Sequence, residues 1–303
     1  MTVPWEAECR VDAPLARRLL AAQFPELAEL PVRAFGEGWD NAAYLVGDRW
    51  VFRFPRRAVA AGLIETELAV LPSIAPRLPL PVPVPRFAGE PSDAFAWPFA
   101  GYECLPGAAL SRVRLGNGAA KRIAREVGSF LRALHAIDPD TVPKLDIDRI
   151  GRLDHSRCLP KAMERLRELE AAGAVENVNR FEQAFEETAP GADAGPFVTV
   201  HGDLYGRHVL VEDQSRASGV IDWGDVHGGD PAVDLAVAFE AFPPSARDSF
   251  ASGYGSVGER TWATARYRAL YHAAMVAHYG LKTGDDEMLR AGLSGLAWSL
   301  IAS

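Results

Sequence analysis

The stretch His201-Gly202-Asp203-Leu204-Tyr205-Gly206-Arg207-His208, followed by Val220-Ile221-Asp222-Trp223, decides the fold. It sets out a carboxylate, a possible metal ligand five residues on, and a second carboxylate fourteen residues after that. Between them, Val209-Leu210-Val211 and Gly219-Val220-Ile221 are short apolar runs around the polar segment Glu212 to Ser218, the pattern of a β-hairpin. Such a hairpin brings His208 and Asp222 together, with Asp203 on the loop just before it. Phosphoryl transfer needs this set: one base near an acceptor hydroxyl, and two ligands for a metal on a nucleotide's phosphates.

Working outward, the upstream chain reads as a β-rich lobe. Residues 11 to 30 carry Leu15, Leu19, Leu20 and Phe24 at helical spacing. Arg33 to Asn41 contains the glycine turn Gly36-Glu37-Gly38 and leads into Ala43-Tyr44-Leu45-Val46. After Gly47-Asp48 comes Trp50-Val51-Phe52-Arg53-Phe54, a second hairpin signal. Glu65 to Ile74 suits a helix ending at the proline-rich Pro76 to Pro85, which reads as a stiff connection. Ala96 to Leu105 is expected to be the last strand of this lobe, and Pro106-Gly107 a hinge. Beyond it, Lys121 to His135, Met163 to Ala172, Glu176 to Thr188 and the chain from Asp230 onward read as helices.

His-Gly-Asp, five residues, a strand pair and Ile-Asp-Trp together resemble the aminoglycoside phosphotransferase family, relatives of the protein kinases. Val200 to Leu235 is most similar to its macrolide 2'-phosphotransferases. The resemblance implies an α+β, two-lobed kinase-like fold: residues 1–105 a nucleotide-binding lobe with a small antiparallel sheet and one helix, residues 106–303 a mostly helical lobe. It also implies a nucleoside triphosphate (ATP or GTP) as co-substrate, Mg²⁺, and an antibiotic alcohol, macrolide or aminoglycoside, as acceptor.

Carried over residue by residue, Asp203 is the expected base, and His208 and Asp222 the metal ligands. Most of the family has Asn where His208 stands; Mg²⁺ prefers oxygen, and the bland alternative is a His bonded to the loop. Gly36 and Gly38 suit a backbone that approaches phosphates closely. Arg53 replaces the usual strand lysine; its planar fork binds phosphate differently from an ammonium, and an exposed strand Arg is the bland alternative. Glu67 is its expected partner, with Glu65 as fallback. Tyr102, Glu103, Cys104 and Leu105 are the expected contacts of the base at the hinge. Asp225 and Glu240 are candidate substrate residues, with Asp225 equally a turn residue. The Asp285-Asp286-Glu287 cluster is a third acidic candidate. His201 is expected to brace the loop, and Asp230 with Pro231 to start a helix structurally.

Composition sets the remaining bounds. With 303 residues, 48% hydrophobic and 24% charged, the chain is an ordinary globular protein with room for a large core. A net charge of −8 and no Lys/Arg run argue against nucleic acid and suit a cationic small molecule. Cys9, Cys104 and Cys158 show no metal or disulfide spacing, which fits the cytoplasm. No signal-like start and no membrane span is expected, and monomer and homodimer are both open. Three alternatives stand beside the phosphotransferase: a kinase for another hydroxylated metabolite, an inactive nucleotide-binding pseudokinase, and a metallohydrolase built on His201, Asp203, His208, Asp222 and His227.

Overall fold

The computed structural model describes residues 7–38, 40–191 and 196–302. Its first part is an antiparallel five-stranded sheet made of β1 (Val32–Glu37), β2 (Asn41–Val46), β3 (Trp50–Pro55), β4 (Pro85–Gly89) and β5 (Phe99–Glu103), ordered β1-β2-β3-β5-β4. Helices α1 (Ala13–Gln23) and α2 (Ala58–Ile74) accompany it. Strand alternation in β3 sets the architecture. Phe52 and Phe54 point to one face, fully buried with Phe95 and Phe99 beneath α1, and each such ring contributes about 1.5–3 kcal/mol. Arg53 points to the opposite face, where α2 lies. Gly101 in β5 is required by this packing, because a Cβ there would stand 2.5 Å from the Phe52 ring.

Helix α2 runs longer than the sequence suggested, beginning at Ala58 rather than Glu65. Ala58–Arg77, with mean hydropathy 1.5, is long and apolar enough to cross a membrane by length and composition alone. In this fold its inner face packs into the core through Ile64, Val70, Leu71 and Ile74, and it carries the buried Glu67.

The second part is mostly helical: α3 (Asn117–His135), α4 (His155–Ala171), α5 (Asn179–Glu187), α6 (Ala232–Leu235), α7 (Val237–Glu240), α8 (Arg247–Tyr254), α9 (Glu259–Thr283) and α10 (Asp286–Ser299). Two small sheets interrupt them. One joins β6 (Ala108–Ala109) to the hairpin of β9 (Val209–Glu212) and β10 (Arg216–Val220). The other orders β7 (Asp146–Ile147), β11 (His227–Gly229) and β8 (Val198–Val200) as β7-β11-β8. The hairpin expected from the motif is present, with Val209 opposite Val220 and a bulge around Ser218, whose hydroxyl donates to the Pro106 carbonyl at 2.7 Å. One core cluster spans both parts, from Ile64 and Tyr102 to Trp223 and Phe130. A small antiparallel-sheet lobe followed by a mostly helical part is the two-lobed α+β architecture expected.

The glycine turn is placed differently from expectation. Gly36 lies within β1 beside a bulge at Ala34/Gly36, so only Gly38 belongs to the turn. There the Gly38 amide donates to the Asn41 carbonyl at 2.9 Å, and Arg56 donates to the Gly38 carbonyl at 2.8 Å. Trp39, next in sequence, lies outside the described residues.

Candidate active site

The loop between β8 and β9 carries His201 to His208. Its shape is fixed from below by Asp234, wholly buried at the end of α6's first turn. Asp234 accepts from the His201 amide at 2.7 Å and the Gly202 amide at 2.9 Å, and meets His135 Nε2 at 3.1 Å. The Asp230-Pro231 helix start was expected to be structural, and Asp230 does accept from the Ala232 amide at 2.8 Å. Four residues on, Asp234 does more, since it orders the catalytic-type loop through two charge-assisted bonds. Gly202 has φ +87°, and a Cβ there would fall 2.2 Å from the Asp225 carbonyl oxygen, so the turn demands glycine. His201 reaches the Ile221 carbonyl at 3.0 Å and packs at a tilt against buried Trp223 with ring centroids 4.6 Å apart. It thus ties the loop to the second motif.

His208 Nε2 faces Asp222 Oδ2 at 3.4 Å. Its Nδ1 sits 2.8 Å from the Asp203 carbonyl oxygen and 3.8 Å from Asp203 Oδ2. Asp222 has φ +68°, a left-handed conformation that aspartate adopts more readily than most residues other than glycine. Burial raises Asp222's carboxyl, but the charges of Arg53 and His208 outweigh it and hold the group below the ordinary aspartate range.

Arg53 spans the crevice with its fork. One end donates to Glu67 Oε1 at 2.6 Å and the other to Asp222 Oδ1 at 2.6 Å. Glu67 is fully buried and receives the Tyr102 hydroxyl on its second oxygen. Burial raises the Glu67 carboxyl, with the Arg53 charge opposing it. Glu65 is not part of this bridge.

The hinge differs from expectation at Tyr102. Its ring is 2% exposed and its hydroxyl is committed to Glu67, because strand alternation turns it toward α2. Glu103 points outward to Arg49 at 3.1 Å. The Cys104 amide donates to the Arg49 carbonyl at 2.7 Å, and Leu105 lies against Gly219 of β10.

The two candidate substrate acids are also otherwise engaged. Asp225 pairs with Arg152, which donates to the Gly202 carbonyl at 2.9 Å and to Asp148 at 2.8 Å. Burial and the nearby Asp203 charge push Asp225 up to about 6. Glu240 is 8% exposed and accepts from His272 Nδ1 at 2.8 Å. In the acidic cluster, Asp285 caps α10 and faces Arg207 at 3.6 Å, while Glu287 binds Arg112 at 2.7 Å and Ser111 at 2.8 Å.

Sequence reasoning missed His272 altogether. From α9 its Nε2 reaches Asp203 Oδ1 at 3.4 Å. Burial alone would raise Asp203, but the bond to His272, its charge, and the charges of His208 and Arg268 hold the carboxyl well below the usual range. Among the described residues, no three His, Cys, Asp or Glu side chains gather as a catalytic zinc site requires.

A β-sheet lobe, a cation bridging strand and helix to a carboxylate across the crevice, and a second carboxylate on an adjoining braced loop define a kinase-like phosphotransferase. The chain belongs to the phosphotransferase enzyme family (APH), whose model matches residues 31–270. It is therefore a small-molecule kinase, and the metallohydrolase alternative falls. The viomycin phosphotransferase of Streptomyces vinaceus is 29% identical over 263 residues, covering 83% of this chain and 88% of that protein. Two solved structures share the fold. The GDP complex of wild-type aminoglycoside 2'-phosphotransferase-IIIa has a TM-score of 0.72 and 24% identity, covering 96% of this chain and 99% of that one. Macrolide 2'-phosphotransferase type I has a TM-score of 0.61 and 24% identity, covering 96% and 98%.

Proposed function

We propose that this enzyme transfers the γ-phosphoryl group of ATP or GTP to a hydroxyl of a cationic antibiotic, with Asp203 as general base. Asp203 takes the hydroxyl proton as that oxygen bonds to the γ-phosphorus. The bond from the γ-phosphorus to the bridging oxygen breaks, and the nucleoside diphosphate leaves. The observation carrying this reading is that His208 contacts both carboxylates, at 3.8 Å from Asp203 and 3.4 Å from Asp222, so base and metal-type donors share one crevice. Asp222 and His208 would hold Mg²⁺, which when bound supplies neutralisation of phosphate charge. Asp222 offers the oxygen that a hard ion prefers on its Oδ2, which faces His208, while its Oδ1 is kept in place by Arg53.

Arg53 would meet the phosphates from the sheet side, beneath the backbone of Gly36 and Gly38. The base would contact the main chain of residues 102–105, between lobes taken as 1–105 and 106–303. A solved structural neighbour holding GDP supports GTP beside ATP. Dependence on a nucleoside triphosphate supports the cytoplasm as the place of action, acting as a monomer or homodimer. For the acceptor, the named relatives point to viomycin, aminoglycoside or macrolide compounds. Asp40, Asp203, Asp222 and Asp225 act on one another beside the cations Arg57, His272, Arg53 and Arg152, and their carboxylate oxygens would supply acceptors for an amine.

The test is phosphorylation of viomycin, an aminoglycoside and a macrolide with Mg-ATP and Mg-GTP, read by mass spectrometry of the product. Gain of one phosphoryl group by an antibiotic supports the reading. Transfer to other metabolite alcohols alone overturns the antibiotic assignment, and nucleotide binding without any transfer favours the pseudokinase.

A further inference from the structure

The side chain of Asp203 is held by a partner from a remote helix, and that partner is itself anchored. His272, on α9, lies between two carboxylates: Nε2 is 3.4 Å from Asp203 Oδ1 and Nδ1 is 2.8 Å from Glu240 Oε2. Its side chain is 13% exposed and that of Glu240 6%. Tyr205, from the same loop as Asp203, fits edge-on against both His272 (ring centroids 4.9 Å apart) and His208 (4.5 Å). It separates the histidine on the base from the one facing Asp222. Behind Glu240 the wall is backbone and small: a Cβ on Gly295 of α10 would lie 3.1 Å from the Glu240 Cβ. The Glu240 side chain is thus confined, and among the described residues its one polar contact is His272.

We propose that Glu240 and His272 form a positioning relay for the base: Glu240 fixes the imidazole, and the imidazole fixes the Asp203 carboxylate toward the acceptor hydroxyl. This rests on Asp203 being the base. An imidazole with carboxylates on both nitrogens must donate from both to satisfy them, and only the imidazolium has two N–H groups. The charge balance agrees. Facing His272 are Asp203 and Tyr205 from the loop and Glu240 from α7, with Arg268 on the preceding turn of α9. Burial disfavours its charged form, but Glu240 and Asp203 together bring the imidazole up to about 9. The imidazolium in turn faces the Asp203 carboxylate, whose side chain is only partly exposed, and gives it a charged donor. Such a pairing sets the orientation of the base and limits its proton affinity. Glu240, expected from the sequence to touch substrate, then acts one residue removed from it.

The experiment is the pH profile of kcat and kcat/KM for wild type, His272→Gln, Glu240→Gln and Asp203→Asn, with nucleotide affinity and thermal melting of each. The relay requires His272→Gln to lower kcat by about 10- to 100-fold, the range for groups that orient a functional side chain. Nucleotide affinity should hold. Wild type should lose activity as pH rises through about 9, where the imidazolium deprotonates, and His272→Gln should lack that limb. Glu240→Gln should shift the alkaline limb to lower pH. A His272→Gln enzyme with wild-type limbs, beside an inactive Asp203→Asn, overturns the relay and leaves the base intact. An active Asp203→Asn overturns the base reading itself. A fall in melting temperature with unchanged limbs assigns His272 a structural role and also overturns the relay.

Discussion

Replacing Arg53 by Met tests the bridge across the crevice most sharply, because the consequence depends on pH in a definite direction. Arg53's side chain is 16% exposed and Glu67's is not exposed at all. Met fills the volume of the stem but leaves Glu67, among the described residues, with the Tyr102 hydroxyl as its remaining partner. Removing one partner of a buried pair costs about 3–5 kcal/mol when the other remains charged. At the usual unfolding entropy per residue, a chain of 303 residues loses about 1.5 °C per kcal/mol, so the melting temperature should fall by roughly 5–8 °C near pH 8. Burial already raises Glu67, with the Arg53 charge opposing; without Arg53 it rises further. A carboxyl whose folded pKa lies above its unfolded value binds more protons folded than unfolded above pH 4.5. Stability therefore falls as pH rises from there to the new folded pKa, by up to about 1.4 kcal/mol per pH unit. The deficit relative to wild type should be small near pH 5 and large near pH 8, followed by circular dichroism melts of both proteins. A deficit equal at both pH values, or larger in acid, would refute the account of Glu67.

Other outcomes follow from the braced loop. Asp234→Asn turns one acceptor oxygen into a donor facing the His201 or Gly202 amide, and should cost about 1–3 kcal/mol while lowering kcat with nucleotide affinity preserved; melts and steady-state kinetics check both. Gly202→Ala places a methyl group 2.2 Å from the Asp225 carbonyl at φ +87°, so activity should be lost with about 1–3 kcal/mol of stability; an alanine enzyme with wild-type rate and melting would contradict the turn geometry.

What the sequence made legible is local or carried by a motif. Val209-Leu210-Val211 and Gly219-Val220 alternate as a hairpin must, and so His208 meets Asp222. Phe52-Arg53-Phe54 has the period of a strand, which places Arg53 on the face opposite the phenylalanines and within reach of Glu67. Tyr102 reads as a contact of the base at the hinge, whereas the parity of β5 commits its hydroxyl to Glu67. Asp234 read as part of a helix start, since nothing local says that its carboxylate faces a loop brought back by β8. His272 left no signal because its partners, Asp203 and Glu240, are distant in sequence, and a lone histidine on an apolar helix reads as core. It also lies just beyond the residues 31–270 that match the family. Arg152 was silent for the same reason: its three contacts, Gly202, Asp225 and Asp148, come together only when the chain has folded.

The most direct measurement pairs two readings on Asp203→Asn: phosphoryl transfer to an accepted antibiotic, and binding of Mg-nucleotide by calorimetry. Loss of transfer by about 100-fold or more with nucleotide affinity within a few-fold of wild type is the expected result. Transfer at the wild-type rate would contradict the assignment of the base, and nucleotide binding lost together with transfer would place Asp203 in the nucleotide site instead.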